Sequence, residues 1–457
     1  MHAPLSSRAA TTAVTADRLL TAPILPTLLR LALPNTVAMA GSALVAVAET
    51  AYIGRLGTVP LAAIALAFPF TMLMQMTSAG AMGGSVSSAI SRALGAGDQD
   101  RATTLAWHAA VIGLIGGIVF MLTMWAFGGA FFTFLGGRGA VLDEARAYAN
   151  VLFAGAISIW LVNTLASIVR GTGDMKVPSG TLLAVALLQV VLGGTLGLGL
   201  GGVPQFGMRG VAAGQAIAYS CGALFLIWFL LGGRSRLDLA RARFTLQRGM
   251  FLDIMKVGAI ACFSPLQTVL TILVFTSIVT RFGTEALAGY GIGARLEFLL
   301  IPIAFAFGTA SIPMVGMAIG AGLVARARRV AWTTGIVATL TVGAVGVVAA
   351  IQPTLWVSLF TRDPGVSAAA ATYFAFAGPA FGFFGLGVAL YFSSQGAARV
   401  LGPVLASTAR LLIVGCGGWW LAMLQAPSWM LFALVGVAMA VFGLGTAASV
   451  RFSRWGA

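Results

Sequence analysis

The chain has 457 residues, of which 59% are hydrophobic and only 9% charged, and its net charge is +15; soluble globular chains carry about 25% charged residues. A soluble protein of this length could not bury that much apolar surface, so the solvent for most of the chain is lipid. The positive charges are spread along the sequence instead of gathered in one block, which points to one face of a membrane and away from nucleic acid. Glycine is abundant at 59 residues, as expected of transmembrane helices that pack closely. Cys221, Cys262 and Cys416 lie far apart in apolar runs. They show neither metal spacing nor a disulfide framework and read as small core hydrophobes.

In chain order, residues 1–22 come first, rich in Ser, Thr and Ala. They lack the apolar core and cleavage site of a secretory signal, and read as a disordered cytoplasmic tail. Apolar runs long enough to span a bilayer follow near 26–53, 60–90, 104–135, 146–169, 178–202 and 209–232. A basic loop near 233–256 then precedes six more runs, near 254–280, 286–320, 328–360, 369–395, 401–423 and 428–450. The expected architecture is all-α and polytopic, with twelve transmembrane helices. An N-terminal lobe spans 23–232, a cytoplasmic interlobe linker 233–253 and a C-terminal lobe 254–451, with a short cytoplasmic tail at 452–457.

The two sets of six are copies of each other. Residues 95–107 read GAGDQDRATTLAW and residues 320–332 read GAGLVARARRVAW, identical at seven of 13 positions with an offset of 225. Gly171 and Pro178 fall on Gly396 and Pro403 at the same offset. Gly57, Thr58, Leu61 and Ala62 fall on Gly283, Thr284, Leu287 and Ala288 at an offset of 226, so the second copy has lost one residue in between. Six spans per copy means that both insert in the same direction, a parallel repeat about an axis along the membrane normal. Of the 27 Lys and Arg residues, the termini and even-numbered loops hold about two-thirds, and the positive-inside bias puts that side, with both termini, in the cytoplasm. Arg295 and Arg410 are the two that fall within spans.

Several blocks then carry a resemblance. The stretch from Pro34 through Glu49-Thr-Ala-Tyr-Ile-Gly-Arg-Leu-Gly57 is similar to the first helix of MATE (multidrug and toxic compound extrusion) transporters. The turns Gly95-Ala-Gly97 and Gly320-Ala-Gly322 resemble the family's, as do Arg170-Gly-Thr-Gly-Asp-Met-Lys-Val-Pro178 and Gly289-Tyr-Gly-Ile-Gly-Ala-Arg-Leu-Glu297. The resemblance covers about residues 25–450. It implies two pseudo-symmetric six-helix lobes facing each other in a V. It also implies antiport, in which an organic compound leaves as protons or sodium ions enter. Among bacterial members the chain looks closer to the DinF-like proton-coupled type than to the sodium-coupled NorM type.

Glu49 and Glu297 are the two acids that fall inside apolar runs, and an intramembrane carboxylate is costly enough to be a functional candidate by default. Glu49 faces Phe275 across the repeat, so the scaffold does not require an acid there. The resemblance gives this position an Asp that is the family's candidate proton site. A carboxyl that alternates between charged and neutral forms suits a proton antiporter; the competing reading is a side chain that reaches the interface. In the fifth helix the family pattern of Asn and, four residues on, Asp is replaced by Gln189 and Gly193. Coupling is therefore expected to rest on Glu49, with Gln189 and Asn163 as neighbours. Asn35 precedes Glu49 by 14 residues, about 21 Å along a helix, and could line the cavity without touching it. Gln267 stands about where sodium-coupled members carry Glu, so protons are expected ahead of sodium.

Arg295 and Glu297 are two residues apart and do not share a helix face. Glu297 is expected to pair with Arg410 in a structural ion pair, with a direct role in substrate or proton binding as the alternative. Arg295 is then a free cation that faces the cavity. Met72 and Met76 either line a cavity that accepts varied ligands or fill the core and meet lipid. His108 and His2 are too far apart to form a metal site, and the Gly-Ala-Gly turns lack the Lys of a nucleotide-binding loop.

The expected function is a secondary active multidrug antiporter in the bacterial inner membrane. It is monomeric, without cofactor, and exports drug-like cationic or amphipathic compounds. A lipid-linked precursor flippase and a sodium-coupled antiporter are the alternatives. A membrane enzyme would need clustered catalytic groups at one depth, and none is visible.

Overall fold

The structure, a computed structural model, describes residues 19–240 and 245–456. The tail expected at 1–22 lies outside the described residues as far as Arg18. Ten helices are long and apolar enough to cross a membrane, and two bent helix pairs bring the candidate spans to twelve. In the first half they are α1 (Ile24–Leu56), α2 (Thr58–Gly95), α3 (Gln99–Phe134), α4 (Gly139–Ala154 with Ala156–Gly171), α5 (Lys176–Leu198) and α6 (Gly207–Leu231). In the second they are α7 (Arg248–Phe282), α8 (Thr284–Gly320), α9 (Val324–Ile351), α10 (Pro364–Ala377 with Phe381–Gly396), α11 (Leu401–Met423) and α12 (Ser428–Phe452). No strand occurs among the described residues.

The repeated Gly-Ala-Gly turns are helix ends built alike. Gly97 and Gly322 adopt φ of 76° and 75°, left-handed values that favour glycine. The next residue's N–H reaches back to close the turn, Asp98 to the Ala93 carbonyl and Leu323 to that of Ala318. The Asp98 carboxylate then accepts the Arg101 N–H at 2.9 Å and starts α3.

Two features depart from straight spans. The fourth helix of each half bends, α4 by 45° and α10 by 53°; the α4 break contains no proline, whereas the α10 break, Gly378-Pro-Ala380, is set by Pro379, which cannot continue the helix hydrogen bonds. Both breaks lie at glycines in close contact with a neighbouring helix. A Cβ at Gly155 would sit 2.7 Å from that of Ala216, and one at Gly378 would sit 2.5 Å from the Gly346 carbonyl oxygen. In addition, π-helical turns interrupt α2 at Met76–Met82 and α11 at Ile413–Gly417. Their repeat counterparts α8 and α5 have none.

Helix packing rests on small residues. In α6, Gly210-Val-Ala-Ala-Gly214 places glycines four apart, and a Cβ on either would come 2.4 Å from α5, at the Leu196 oxygen and the Gly193 nitrogen. Lipid offers no hydrophobic drive for helix association, so this close backbone approach supplies the dispersion contacts that hold the pair.

The chain divides into two compact units, but not at the linker. One unit is Leu33–Gly258; the other combines Leu20–Ala32 with Ala259–Ala457. The expected lobe boundaries at 23–232 and 254–451 therefore shift. The start of α7 belongs to the first unit because Asp253 pairs there with Arg92 (2.7 Å) and Arg101 (2.8 Å). In that unit His108 also accepts the Gln247 N–H at 2.8 Å. The start of α1 belongs to the second unit, where Arg326 donates to the Ala22 carbonyl at 2.5 Å. The expected tail at 452–457 is also seated: Trp455 is buried, and Arg328 donates to the carbonyls of Arg451 and Ser453.

Candidate functional site

In the first unit, Glu49 stands late in α1, half-buried. Its carboxylate accepts the side-chain amide of Gln189 on α5 at 2.5 Å. No cationic side chain forms an ion pair with it among the described residues. Tyr52, nearly one turn further along α1, is buried and its hydroxyl meets no hydrogen-bond partner. That hydroxyl fills the space beside Gly193, where a Cβ would lie 3.2 Å from it. The position that lacks the family's Asp is thus occupied by a phenol from the neighbouring helix. Tyr148 on α4 and Tyr219 on α6 also lie within electrostatic reach of Glu49.

Tyr219 links this acid to a second polar cluster. The Gln75 amide donates to its hydroxyl at 2.9 Å. Asn163 on α4 donates to the Gln75 oxygen at 3.1 Å and to the Ser78 hydroxyl at 2.8 Å. Thr77 and Ser78 bond back to the carbonyls of Leu73 and Met74, which competes with regular helix bonds. The π turn begins at this point, and such turns recur at functional sites. Gln189 thus bonds Glu49 directly, whereas Asn163 bonds Gln75 and Ser78. Asn35 is buried. Met72 and Met76 are half-buried on α2, whereas Met74 between them is fully enclosed.

In the second unit the expected Glu297–Arg410 ion pair is corrected. Glu297 instead accepts a hydrogen bond from the hydroxyl of Tyr373 on α10. A Cβ at Gly293 would fall 2.2 Å from the Tyr373 ring; only glycine there lets the phenol reach the acid one turn on. Arg410 lines the same small cavity as Glu297, with Thr271, Phe275 and Tyr290, so the two charges interact across space without direct contact. Its guanidinium lies 5.1 Å from the centroid of the Phe384 ring and 5.9 Å from that of Phe442, a cation–π setting. Arg295 is exposed and stacks over Phe360 at 5.0 Å. Its long stem carries the charge to an aromatic beyond the end of α9, so it is not a bare cation. Gln267 donates to Thr408 at 2.7 Å and joins α7 to α11.

Sequence reasoning missed Tyr52, Gln75, Ser78, Tyr219 and Tyr373. The available signal was weak: polar groups inside apolar runs, Gln75 and Ser78 at one-turn spacing, and glycines where a facing ring needs room.

The MatE family profile matches residues 34–195 and 261–420. The chain is 28% identical to the FAD transporter of Shewanella oneidensis, over 68% of this chain and 69% of that protein. It is 29% identical to the probable multidrug resistance protein NorM of Deinococcus radiodurans, over 85% and 86%. Among solved structures, it resembles a MOP superfamily transporter from Pyrococcus furiosus with a TM-score of 0.87 and 23% identity, covering 95% of this chain and 96% of that one. MATE in the bent conformation matches with the same score, identity and coverage.

Proposed function

This chain belongs to the MatE family of membrane transporters, and we propose that it exports cationic or amphipathic organic compounds in exchange for protons, in the manner of the DinF-like type. The observation that carries this reading is Glu49: an acid inside a span that accepts a hydrogen bond from a neutral amide and lies within electrostatic reach of three phenols, with no ion-paired cation among the described residues. An ionised carboxylate so placed is compensated by whatever cation arrives. A proton and a cationic substrate compete for it, and that competition links inward proton flow to outward drug flow. Gln189 donates to the carboxylate, and the Tyr219 hydroxyl, within electrostatic reach of the acid, accepts from Gln75 and so joins it to the cluster around Asn163 and Ser78. We place the protein as a monomer in the bacterial inner membrane, with both termini in the cytoplasm.

The test is proton-driven dye transport in vesicles. Glu49→Gln keeps the hydrogen bond to Gln189 possible but removes the titrating group, and transport should drop to background. Glu49→Asp should retain part of it. Wild-type rates in Glu49→Gln, or dependence on a sodium gradient with the proton gradient collapsed, would remove the proposal.

A second reading, export of an anionic dinucleotide, draws on the likeness to the FAD transporter and on Arg410 in the second unit, a guanidinium that forms no ion pair among the described residues. FAD efflux that survives Glu49→Gln but fails in Arg410→Gln would favour it.

A further inference from the structure

We propose that the first unit carries a binding site for an anionic phospholipid, with one acyl chain between α5 and α6 and its phosphate on Lys176. The site is a cavity of about 520 Å³ on those two helices, distinct from the Glu49 cluster. On α5, Lys176, Gly180, Ala184 and Leu188 recur every four residues along one wall, and Cys221 and Phe225 face them from α6. A Cβ at Gly180 would meet nothing within 4 Å, so the floor is open there. The Thr181 hydroxyl turns back to the Val177 carbonyl at 2.9 Å, which leaves the walls apolar.

Length and charge together identify the occupant. From Lys176 to Leu188 is twelve residues, about 18 Å of helix, close to one leaflet of a hydrocarbon core about 30 Å thick. Among the described residues, the only charged one lining the cavity is a cation at its end, Lys176. Asp174 caps α5, accepting the N–H groups of Lys176 (2.8 Å) and Val177 (3.3 Å), so the ammonium and not the helix end is what meets a phosphate. Arg236 faces Asp174 electrostatically and donates to the Thr172 carbonyl at 2.7 Å, which offsets the acid and keeps the mouth positive. Near the same end of α6, Arg234 stacks on Trp228 at 3.8 Å, a pairing typical of the headgroup level. A cationic drug would be repelled by Lys176, whereas an anionic lipid is attracted by it.

The experiment uses full-length protein in nanodiscs containing phosphatidylglycerol or phosphatidylcholine with a diazirine on the acyl chain, followed by peptide mapping after illumination. Adducts should concentrate on the peptides bearing Gly180–Leu188 and Cys221–Phe225, with phosphatidylglycerol favoured about fivefold. Lys176→Gln should erase that preference, and Gly180→Phe should fill the groove and abolish labelling by both lipids. Labelling spread evenly over all lipid-facing helices, or an unchanged preference in Lys176→Gln, overturns the proposal. So does a hydrophobic cationic photoprobe that labels these peptides as strongly as phosphatidylglycerol, which would make the groove a route for substrate.

Discussion

A buried charge without a counter-charge is expensive in any packed interior. Arg170, in the last turn of α4, is 6% exposed, its Nε–H meets no acceptor, and no acid pairs with it among the described residues. The repeat places Gln395 at the same point of the second half, equally buried. Arg170→Gln copies that solution, and the midpoint of thermal unfolding in detergent should rise by about 1–3 °C. A fall would show that the guanidinium has a stabilising role. Single residues also mark the limit of what the sequence discloses. Glu49 and Glu297 stand out because any carboxylate in an apolar run is conspicuous. Gln189 beside Glu49 is expected from the sequence, but the phenols are not, because Tyr373 reaches Glu297 across the missing side chain of Gly293, and Tyr52 fills the space beside Gly193. Which phenol faces which glycine depends on helix rotation, and hydropathy carries no record of it. For the same reason the expected pairing of Glu297 with Arg410 fails, and the guanidinium lies near the rings of Phe384 and Phe442 instead.

At the scale of helices, number and approximate position follow from apolar run length, which the bilayer enforces. The bend at Gly155 and the π turns in α2 and α11 do not, since no proline marks them and each depends on a neighbour, whereas Pro379 marks the bend at Gly378–Ala380. The start of α7 is another case. His108 is fully buried in α3. Its Nδ1 lies 2.8 Å from the Thr104 carbonyl and its Nε2 accepts the backbone N–H of Gln247 at 2.8 Å. The network therefore assigns the proton to Nδ1. In the sequence it is an isolated histidine, too far from His2 to form a metal site. His108→Phe keeps an aromatic ring but removes the acceptor of the Gln247 N–H, a net loss of about 0.5–1.5 kcal/mol for one part-buried hydrogen bond. Amide exchange over residues 247–258 should accelerate by about threefold to tenfold, while α5 and α6 stay protected. Unchanged exchange over 247–258 would mean that the two ion pairs of Asp253 alone fasten the start of α7.

For the whole molecule, the duplication identifies two equivalent halves, and the structure shows that each half lends a piece to the other. Residues 20–32 belong with the second unit and residues 248–258, from the second half, with the first. The exchange is symmetric: shifted by the offset of 226, residues 22–32 fall on 248–258. Hydropathy could not reveal it, because α1 and α7 run unbroken through the boundary and a continuous apolar helix does not say which bundle covers each of its turns. A consequence follows for a severed chain. If the backbone is cut at an inserted protease site within 241–244, each half still supplies helix turns that pack inside the other half's unit. Arg92 and Arg101 hold Asp253 on one side, and Arg326 holds the Ala22 carbonyl on the other. The two fragments should therefore co-elute as one species after cleavage in mild detergent and retain transport. Asp253→Ala in the cut protein removes both ion pairs at one of the two attachments and should let a measurable fraction separate. Complete separation of the cut wild type would show that the exchanged segments do not hold the halves together and that the linker does.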